Sequence, residues 1–356
     1  MSDEIKRLKK LAAPLLAWYD ENRRDLPWRE DVSAYRTWVS EIMLQQTRVT
    51  AVIPYFARFM DAFPTVEALA AADTERLMKL WEGLGYYSRA RNLQKAAKIV
   101  AEEYGGRFPE TYEELAALPG VGDYTAGAIA SIAFGRRVPA VDGNVLRVAA
   151  RLTGSRLDVL DAKNRKLFRT WMAEAVPTDR PGEFNQALMD LGAAVCLPNG
   201  EPLCPACPAR DFCAAARDGI QSELPVRAKK KARRVEHLTV FILLRDDEVA
   251  LRQRPKTGLL AGLWEYPHMP GALDEGQAAA QLAAWGVTPL QWEKRLEARH
   301  EFTHIRWEMT GYVLRVRGDG PADWLWADRE ARRKRAVPSA FARFTEEIEN
   351  TEKERE

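Results

Sequence analysis

The sequence predicts a multidomain protein in which an all-α domain precedes an α+β domain. Its 356 residues are enough for two or three domains, since a domain takes about 150 residues. From the N-terminus to about residue 220, apolar residues recur at the spacing of a helix. From about residue 237, runs rich in β-branched and aromatic residues indicate strands. This change of pattern marks the domain boundary.

The composition is that of an ordinary soluble globular protein, with 46% hydrophobic and 29% charged residues. The formal net charge of +2 neither favours nor excludes a nucleic-acid partner. No apolar run approaches the roughly 18 residues of a membrane helix. The N-terminal segment MSDEIKRLKK lacks the apolar stretch of a signal peptide. We therefore expect a cytoplasmic protein.

The first domain is expected to consist almost entirely of helices. The segment 35–49 carries the apolar stripe of an amphipathic helix, with Tyr35, Trp38, Val39, Ile42 and Met43 at i, i+3, i+4, i+7 and i+8. Further helices are predicted at 65–85, 89–106, 141–154 and 181–196. The first two of these end on glycine, which commonly terminates helices. Short glycine turns at 83–85 and 120–122 connect helices.

A basic linker is predicted at 221–236. It carries Arg227, Lys229, Lys230, Lys231, Arg233 and Arg234. Such a stretch is either a solvated tether or a strip that contacts DNA, and its residues leave both open.

Residues 237–345 are predicted to form the α+β domain. Strands are expected within 237–244, 248–255, 300–316 and 323–327, and a helix within 274–286, capped by Asp274. The remaining residues, 346–356, are predicted to be a charged tail that frays.

The segment LPGVGDYTAGAIASIAFG, residues 118–135, begins with a turn that contains Gly120 and Gly122. Backbone N–H groups exposed at the start of a helix form an anion site, and a phosphate fits there. A tight turn between helices is the plainer alternative. The helix that follows is rich in small residues, so another backbone can pack closely against it.

A carboxylate precedes the next helix. Asp142 of VPAVDGNV is placed to cap that helix, which is the plainer role. The helix N-terminus also favours the ionised carboxylate. An ionised carboxylate at this position could stabilise a cation that develops on a sugar.

All four cysteines lie within 18 residues, at Cys196, Cys204, Cys207 and Cys213. A cytosolic protein rarely uses disulfides, so the cluster indicates a metal site. The spacing C-x7-C-x2-C-x5-C contains one CxxC pair. From the spacing alone, zinc and an iron–sulfur cluster remain equally open.

The chain resembles the helix–hairpin–helix DNA glycosylase superfamily with its iron–sulfur module. The resemblance rests on three motifs in order, namely LPGVG before a helix, VDGNV and the four cysteines. The resemblance covers about residues 10–215. It implies a glycosylase domain at 1–220, with a six-helix module at about 25–137 and an iron–sulfur module at about 1–24 and 138–216. It also implies a [4Fe–4S] cluster on the four cysteines, although loop 197–203 is one residue longer than is usual in the family.

Tyr124 distinguishes the chain from one branch of this superfamily. In the endonuclease III members a lysine at this position attacks the sugar and enables strand cleavage. A phenol cannot form a Schiff base, so the resemblance implies a monofunctional glycosylase whose hairpin, with Gly120 and Gly122, holds the DNA backbone. An adenine glycosylase and a thymine-mismatch glycosylase both fit this description.

The segment WVSEIMLQQTRV resembles the MutY family of adenine DNA glycosylases. On geometry alone Glu41 is an ordinary flanking glutamate at the edge of the apolar stripe. The resemblance implies instead that Glu41 supplies a proton to N7 of the extruded adenine. It implies that Gln46 and Thr47 meet the opposing strand and that Tyr86 wedges into the base stack. The positions near the base pocket are Trp28, Arg29 and Gln186.

The chemistry of N-glycosidic cleavage suits two carboxylates. Positive charge develops on the sugar and negative charge on the departing base. Glu41 would protonate the base, with a pKa raised by burial, while Asp142 would stay ionised beside the sugar. Asn144 could hold Asp142 in position, and Tyr124 could donate a hydrogen bond near it.

In the second domain, GLLAGLWEYP resembles the Nudix-like C-terminal domain of MutY. The R-E-x-x-E-E core of Nudix hydrolases is absent from the sequence, so pyrophosphate hydrolysis is not expected. In MutY a Phe-Ser-His loop reads 8-oxoguanine, and this chain has Phe302, Thr303 and His304. A half-buried strand histidine is the plainer interpretation of His304.

We therefore expect a monomeric, nucleoid-associated enzyme that removes adenine opposite 8-oxoguanine or guanine in double-stranded DNA. A thymine or uracil mismatch glycosylase is the alternative enzyme. A non-catalytic iron–sulfur redox sensor that binds DNA is a third hypothesis, which Glu41 and Asp142 disfavour.

Overall fold

The computed structural model of the chain describes residues 2–228 and 232–353. Packing divides it into two compact units, Met1–Ala72 with Arg91–Lys229, and Asp73–Ala90 with Lys230–Glu356. The segment Asp73–Ala90 thus groups with the second unit, although the sequence assigned it to the first domain. Lysines 229, 230 and 231 of the predicted linker lie outside the described residues.

Helices make up most of the chain up to Glu223, as predicted for the residues up to about 220. The α-helices are α1 (Asp3–Lys9), α2 (Ala12–Asn22), α3 (Pro27–Glu30), α4 (Ala34–Leu44), α5 (Val49–Ala62), α6 (Val66–Ala70), α7 (Thr74–Trp81), α8 (Ser88–Glu103), α9 (Tyr112–Ala117), α10 (Asp123–Ile132), α11 (Gly143–Thr153), α12 (Ala162–Ala175), α13 (Pro181–Ala194) and α14 (Ala214–Asp218). Short 3-10 helices span Cys204–Ala206, Arg210–Phe212 and Gln221–Glu223.

Two helices are shorter than the periodicity predicted. The apolar stripe at 35–49 forms only α4, because Gln46 adopts a left-handed φ of 59° that ends the helix. The segment 65–85 divides into α6 and α7, since Asp73 starts a new helix by accepting a hydrogen bond from Arg76 N.

The hairpin before α10 requires its first glycine. Gly120 has a φ of 79°, and a Cβ there would lie 2.7 Å from Asn92 Cβ. Along α10, a Cβ on Gly127 would lie 2.3 Å from Pro139 O. The close backbone approach predicted for this helix is therefore confirmed.

One apolar core holds the helices that carry the site in the first unit. This buried cluster contains Leu8 of α1, Leu15 of α2, Val148 of α11, Phe168 of α12 and Phe184 of α13. Packing against it fixes α11, whose N-terminus carries Asp142.

The second unit contains a seven-stranded mixed sheet. Its strands are β1 (Arg234–Arg245), β2 (Glu248–Gln253), β3 (Trp264–Glu265), β4 (His268–Pro270), β5 (Thr288–Glu301), β6 (Ile305–Arg317) and β7 (Trp324–Ala327). The order is β3-β2-β1-β6-β5, with β4 paired to β1 and β7 to β2. Strands β1 and β6 are parallel, with Arg234 opposite Ile305, while β5 and β6 are antiparallel.

Helices cover both faces of this sheet. They are α15 (Glu275–Ala284), α16 (Arg329–Arg333) and α17 (Ala342–Lys353), with a 3-10 helix at Ser339–Phe341. Ile242 packs with Phe344 on one face, and Phe241 packs with Leu282 on the other. Asp274 caps α15 within a capping box, as its position predicted.

Three predictions for the C-terminal part of the chain are wrong. The predicted strand 300–316 is interrupted, because residues 302–304 form the tip of the β5–β6 hairpin. The predicted tail is helical as far as Lys353, because Phe344 and Ile348 of α17 are buried in the core. The linker is not an exposed tether throughout, since Leu224 is buried and Val226 O accepts a hydrogen bond from Val159 N at 3.1 Å.

Among the described residues, no helix combines the length and the apolar character needed to cross a bilayer.

Candidate active site

One cleft in the first unit brings together most of the predicted site residues. Its volume is about 1200 Å³. The predicted residues that line it are Trp28, Arg29, Glu41, Gln46, Thr47, Gly122, Tyr124, Asp142, Asn144 and Gln186. Helices α4, α10 and α11 thus direct their catalytic candidates into one space.

Glu41 and Tyr124 form a buried pair in this cleft. Glu41 is only 5% exposed. The Tyr124 hydroxyl donates to Glu41 Oε2 at 2.5 Å and lies 3.5 Å from Met189 Sδ. Burial, with a smaller contribution from the charge of Asp142, raises the pKa of Glu41 to about 7, although the Tyr124 hydrogen bond and Arg29 oppose the rise. Burial also raises the pKa of Tyr124 well above its usual value, so Tyr124 remains a donor.

Asp142 caps α11, as its sequence position suggested, and its carboxylate also lines the cleft. Its Oδ1 accepts from Val145 N at 2.8 Å, which caps α11, and its Oδ2 accepts from Asn144 Nδ2 at 2.9 Å. Burial raises the pKa of Asp142, whereas these hydrogen bonds and the charge of Arg147 lower it. The net direction is upward, which differs from the low pKa expected of a helix cap.

A chain of hydrogen bonds leads from Asp142 to the first cysteine. Asn144 Oδ1 accepts from Arg147 Nη2 at 3.0 Å, and Arg147 Nε donates to Cys196 O at 2.9 Å. Arg147 Nη2 also donates to Gly192 O at 2.7 Å. Hydrogen bonds through Asn144 and Arg147 therefore connect Asp142 to the backbone of Cys196.

Arg29 is held in the cleft wall by a buried carboxylate. Asp190 is 1% exposed and accepts from Arg29 Nη1 at 2.8 Å and from Arg24 Nε at 2.7 Å. These two arginines lower the pKa of Asp190 despite its burial. Gln186 is fixed by Tyr19, whose hydroxyl donates to Gln186 Oε1 at 2.8 Å. The polar wall of the cleft is thus rigidly organised.

The four cysteines line one small cavity, together with Arg151. Arg151 Nη1 donates to Cys196 Sγ at 3.3 Å and to Leu197 O at 2.9 Å. Burial raises the pKa of Cys207 to about 11, with the other cysteines adding to the rise. No three His, Cys, Asp or Glu side chains among the described residues lie close enough to hold a single metal ion. A donor set made of four thiols around one cavity fits an iron–sulfur cluster, which binds thiolates at its corners.

Tyr86 and the loop Phe302–His304 lie in the second unit, and the Tyr86 hydroxyl is 3.3 Å from Thr303 Oγ1. Tyr86 is exposed and has a left-handed φ of 45°. Phe302 anchors the loop by packing on Trp307, with ring centroids 4.8 Å apart. His304 is exposed at the loop tip, so it is not the half-buried strand residue of the plainer interpretation.

Several residues of the site were not predicted from the sequence. The predicted site residues are contacted by Arg24, Met189, Asp190, Arg147 and Arg151. Arg147 and Arg151 are one helical turn apart within an apolar stretch, and Asp190 interrupts LMDLG in the same way. A charged residue among apolar neighbours on a helix indicates a buried ion pair or a buried polar contact, and this pattern could have identified them.

Comparison with known proteins identifies the family. Residues 39–174 match the model described as HhH-GPD superfamily base excision DNA repair protein, and residues 239–347 match the NUDIX domain model. The adenine DNA glycosylase of Rattus norvegicus is 38% identical in an alignment that covers 92% of this chain and 75% of that protein. The chain belongs to the adenine DNA glycosylase family.

A second relative agrees with this family assignment, and a solved structure agrees with the fold of the helical part of the chain. The adenine DNA glycosylase of Homo sapiens is 36% identical, over 95% of this chain and 74% of that protein. A solved structure described as a thermostable thymine-DNA glycosylase is 29% identical, with a TM-score of 0.54, and covers 60% of this chain and 98% of that one. The predicted family and the predicted fold class, a helix–hairpin–helix domain followed by a Nudix-like α+β domain, are confirmed.

Proposed function

We propose that this chain removes adenine from double-stranded DNA, opposite 8-oxoguanine or guanine, as a monomeric base-excision repair glycosylase. The relatives named adenine DNA glycosylase support adenine as the base. One observation carries the mechanism, namely the hydrogen bond from Tyr124 to the buried Glu41 in a cleft that Asp142 also lines.

Glu41 is the general acid. A pKa of about 7 leaves a substantial protonated fraction at neutral pH, which suits an acid that must also release its proton. As the glycosidic bond breaks, Glu41 transfers its proton to N7, and adenine departs as a neutral base. The Tyr124 hydroxyl then stabilises the negatively charged carboxylate that forms when Glu41 loses its proton.

Asp142 stabilises the sugar cation. Its two hydrogen bonds, from Val145 N and Asn144, hold the carboxylate in one orientation. Water adds at the sugar carbon that the base has left and loses a proton, which completes the hydrolysis. Tyr124 supplies no amine, so the reaction ends at an abasic site and the strand stays intact.

The remaining predicted residues serve recognition. Trp28, Arg29 and Gln186 form walls of the pocket for the extruded adenine, which must leave the base stack at a cost of a few kcal/mol. Phe302, Thr303 and His304 read 8-oxoguanine, and Tyr86 enters the stack. Thr303 keeps the hydroxyl of the family's serine and adds a methyl group.

We propose that Cys196, Cys204, Cys207 and Cys213 hold a [4Fe–4S] cluster. Hydrolysis of a glycosidic bond requires no electrons, so the cluster supplies no chemistry to the reaction. It fixes the loop from which Cys196 O accepts the hydrogen bond of Arg147. Metal analysis of the purified chain tests this, since about four irons per chain support the cluster and one zinc per chain contradicts it.

A base-specificity assay tests the function. Purified protein is incubated with duplexes that contain A·8-oxoG, A·G, T·G or U·G, and each sample is divided with and without alkali. We expect strand breaks only at adenine and only after alkali. Cleavage at thymine or uracil would support the mismatch glycosylase, and tight binding without base removal would support the redox sensor.

A further inference from the structure

The second unit contains a buried cluster of charged side chains that the proposed mechanism does not use. Its centre is Glu265, the last residue of β3, which is 2% exposed. Glu265 accepts hydrogen bonds from Arg252 Nε at 2.9 Å and from Arg254 Nη1. Its Oε2 also lies 3.5 Å from His268 Nδ1. Glu265 is the only charged residue of the segment GLLAGLWEYP, so this cluster provides its partners.

Arg254 connects Glu265 to an aromatic ring. Its guanidinium carbon lies 5.7 Å from the centroid of the Trp307 ring, within the range of a cation–π interaction. Its Nε also donates to Leu259 O at 2.9 Å. The carboxylate and the backbone carbonyl therefore hold the planar guanidinium in one orientation at the ring.

Trp307 is buried and supports the loop Phe302–His304. Its ring packs on Phe302 with centroids 4.8 Å apart and planes at 74°. Its Nε1 donates to Glu236 Oε2 at 2.9 Å. Because an edge-to-face aromatic pair depends on the orientation of both rings, a shift of Trp307 also displaces Phe302 and the tip of the loop.

Stability alone does not account for the charged cluster. Burial of charged groups costs free energy, and replacement of a buried ion pair by apolar residues of similar size is often neutral or stabilising. An apolar side chain at position 254 could also cover the Trp307 ring. Hydrogen bonds are directional, whereas apolar contacts are not. The place of Arg254 between Glu265 and Trp307 therefore suits a group that fixes the orientation of the ring.

We propose that Arg254, fixed by Glu265, is a positioning residue for the loop Phe302–His304 and thereby sets the preference for 8-oxoguanine over guanine opposite the adenine. The inference rests on the proposed function, because it takes this loop to read 8-oxoguanine. In this arrangement Arg254 acts through Trp307 and Phe302 rather than by contact with the DNA.

The test is the ratio of the single-turnover rates on A·8-oxoG and A·G duplexes, measured for the full-length protein. Arg254→Lys keeps a positive charge beside Glu265 and removes the planar guanidinium. We expect it to lower the ratio about 10-fold, the equivalent of one lost hydrogen bond to the lesion. A loss of folded protein lowers both rates alike and leaves the ratio unchanged, so the ratio reports positioning.

Arg245→Lys is the matched control. Arg245 donates to Glu248 at 2.7 Å, and its guanidinium carbon lies 4.1 Å from the centroid of the Trp326 ring. Trp326 packs in the apolar cluster on the other face of the sheet, whereas Trp307 and Phe302 belong to the first. The ratio in Arg245→Lys should equal that of wild type, and a fall as large as that in Arg254→Lys would overturn the proposal.

The double variant Arg254→Lys/Phe302→Ala tests whether Arg254 acts through the loop. Phe302→Ala removes the contact with Trp307, so Arg254→Lys should lower the ratio no further in that background. An additive fall in the double variant would overturn the proposal, as would a wild-type ratio in Arg254→Lys. If wild type prefers 8-oxoguanine and Arg254→Lys keeps that preference, only this inference fails. If wild type removes no adenine or shows no preference, the proposed function fails with it.

Discussion

Tyr124 donates its hydroxyl hydrogen to Glu41 Oε2 at 2.5 Å, and the two side chains are buried together. The superfamily branch with lyase activity carries an amine at the position of Tyr124. Here the phenol instead donates a hydrogen bond that lowers the pKa of the Glu41 carboxyl group. The residue at position 124 therefore affects the pKa of the proposed acid in the cleft.

Tyr124→Phe should shift the pH dependence of base removal. The Tyr124 hydrogen bond lowers the pKa of Glu41, so its loss should raise that pKa. A hydrogen bond to a charged group corresponds to about 1 to 2 pH units, and the alkaline fall in the single-turnover rate should move up by that amount. Tyr104→Phe, outside the cleft, is the control. Identical profiles for wild type and Tyr124→Phe would show that the phenol does not act on Glu41.

Glu41→Gln should change how stability depends on pH. The pKa of Glu41 is raised from 4.5 unfolded to about 7 folded, so its stabilising contribution is complete below pH 4.5 and is lost as the pH rises through 7. Between pH 5 and pH 8 wild type should therefore lose about 2 to 3 kcal/mol relative to Glu41→Gln. Urea unfolding of both proteins at the two pH values measures this. A constant difference between them would mean that Glu41 ionises normally in the folded protein.

Asp142→Asn should abolish base removal while leaving DNA binding nearly intact. Asparagine still caps a helix, so α11 should remain folded, but the charge that stabilises the sugar cation is lost. We expect the single-turnover rate to fall at least about 100-fold. Asp161→Asn is the matched control, because Asp161 caps α12 by accepting from Lys163 N and Asn164 N. A rate close to wild type in Asp142→Asn would exclude the assigned role.

His304→Ala should reduce the preference for adenine opposite 8-oxoguanine over adenine opposite guanine. His304 is exposed at the tip of the loop that Phe302 anchors, so its removal should leave the loop in place. The ratio of the rates on the two duplexes measures the effect. His237→Ala, at an exposed position of β1, is the control. An unchanged ratio in His304→Ala would remove this loop from lesion recognition.

Sequence periodicity predicted the helical first part of the chain well, and local rules predicted the cap at Asp142 and the glycine turn. The other polar residues of the cleft, such as Glu41 and Gln186, were named only through the family resemblance. The cap at Asp142 and the glycine hairpin depend on a few adjacent residues. The chain therefore carries these features in segments short enough to interpret without tertiary structure.

Features that depend on tertiary packing were missed. Strand β5 carries charged residues on an edge of the sheet, so it lacks an apolar alternation. Helix α17 looks like a charged tail until Phe344 and Ile348 meet the core. Asp190 forms ion pairs with Arg29 and Arg24, which precede it in the sequence by 161 and 166 positions. No local sequence pattern specifies partners at such a distance.

The most direct measurement compares two duplexes that differ at one atom of the substrate. One contains adenine opposite 8-oxoguanine, and the other contains 7-deazaadenine, in which carbon replaces the N7 that Glu41 is proposed to protonate. We expect wild type to remove adenine, and to remove 7-deazaadenine at least about 100-fold more slowly while binding both duplexes equally. Equal rates of removal on the two duplexes would contradict protonation of the base by Glu41.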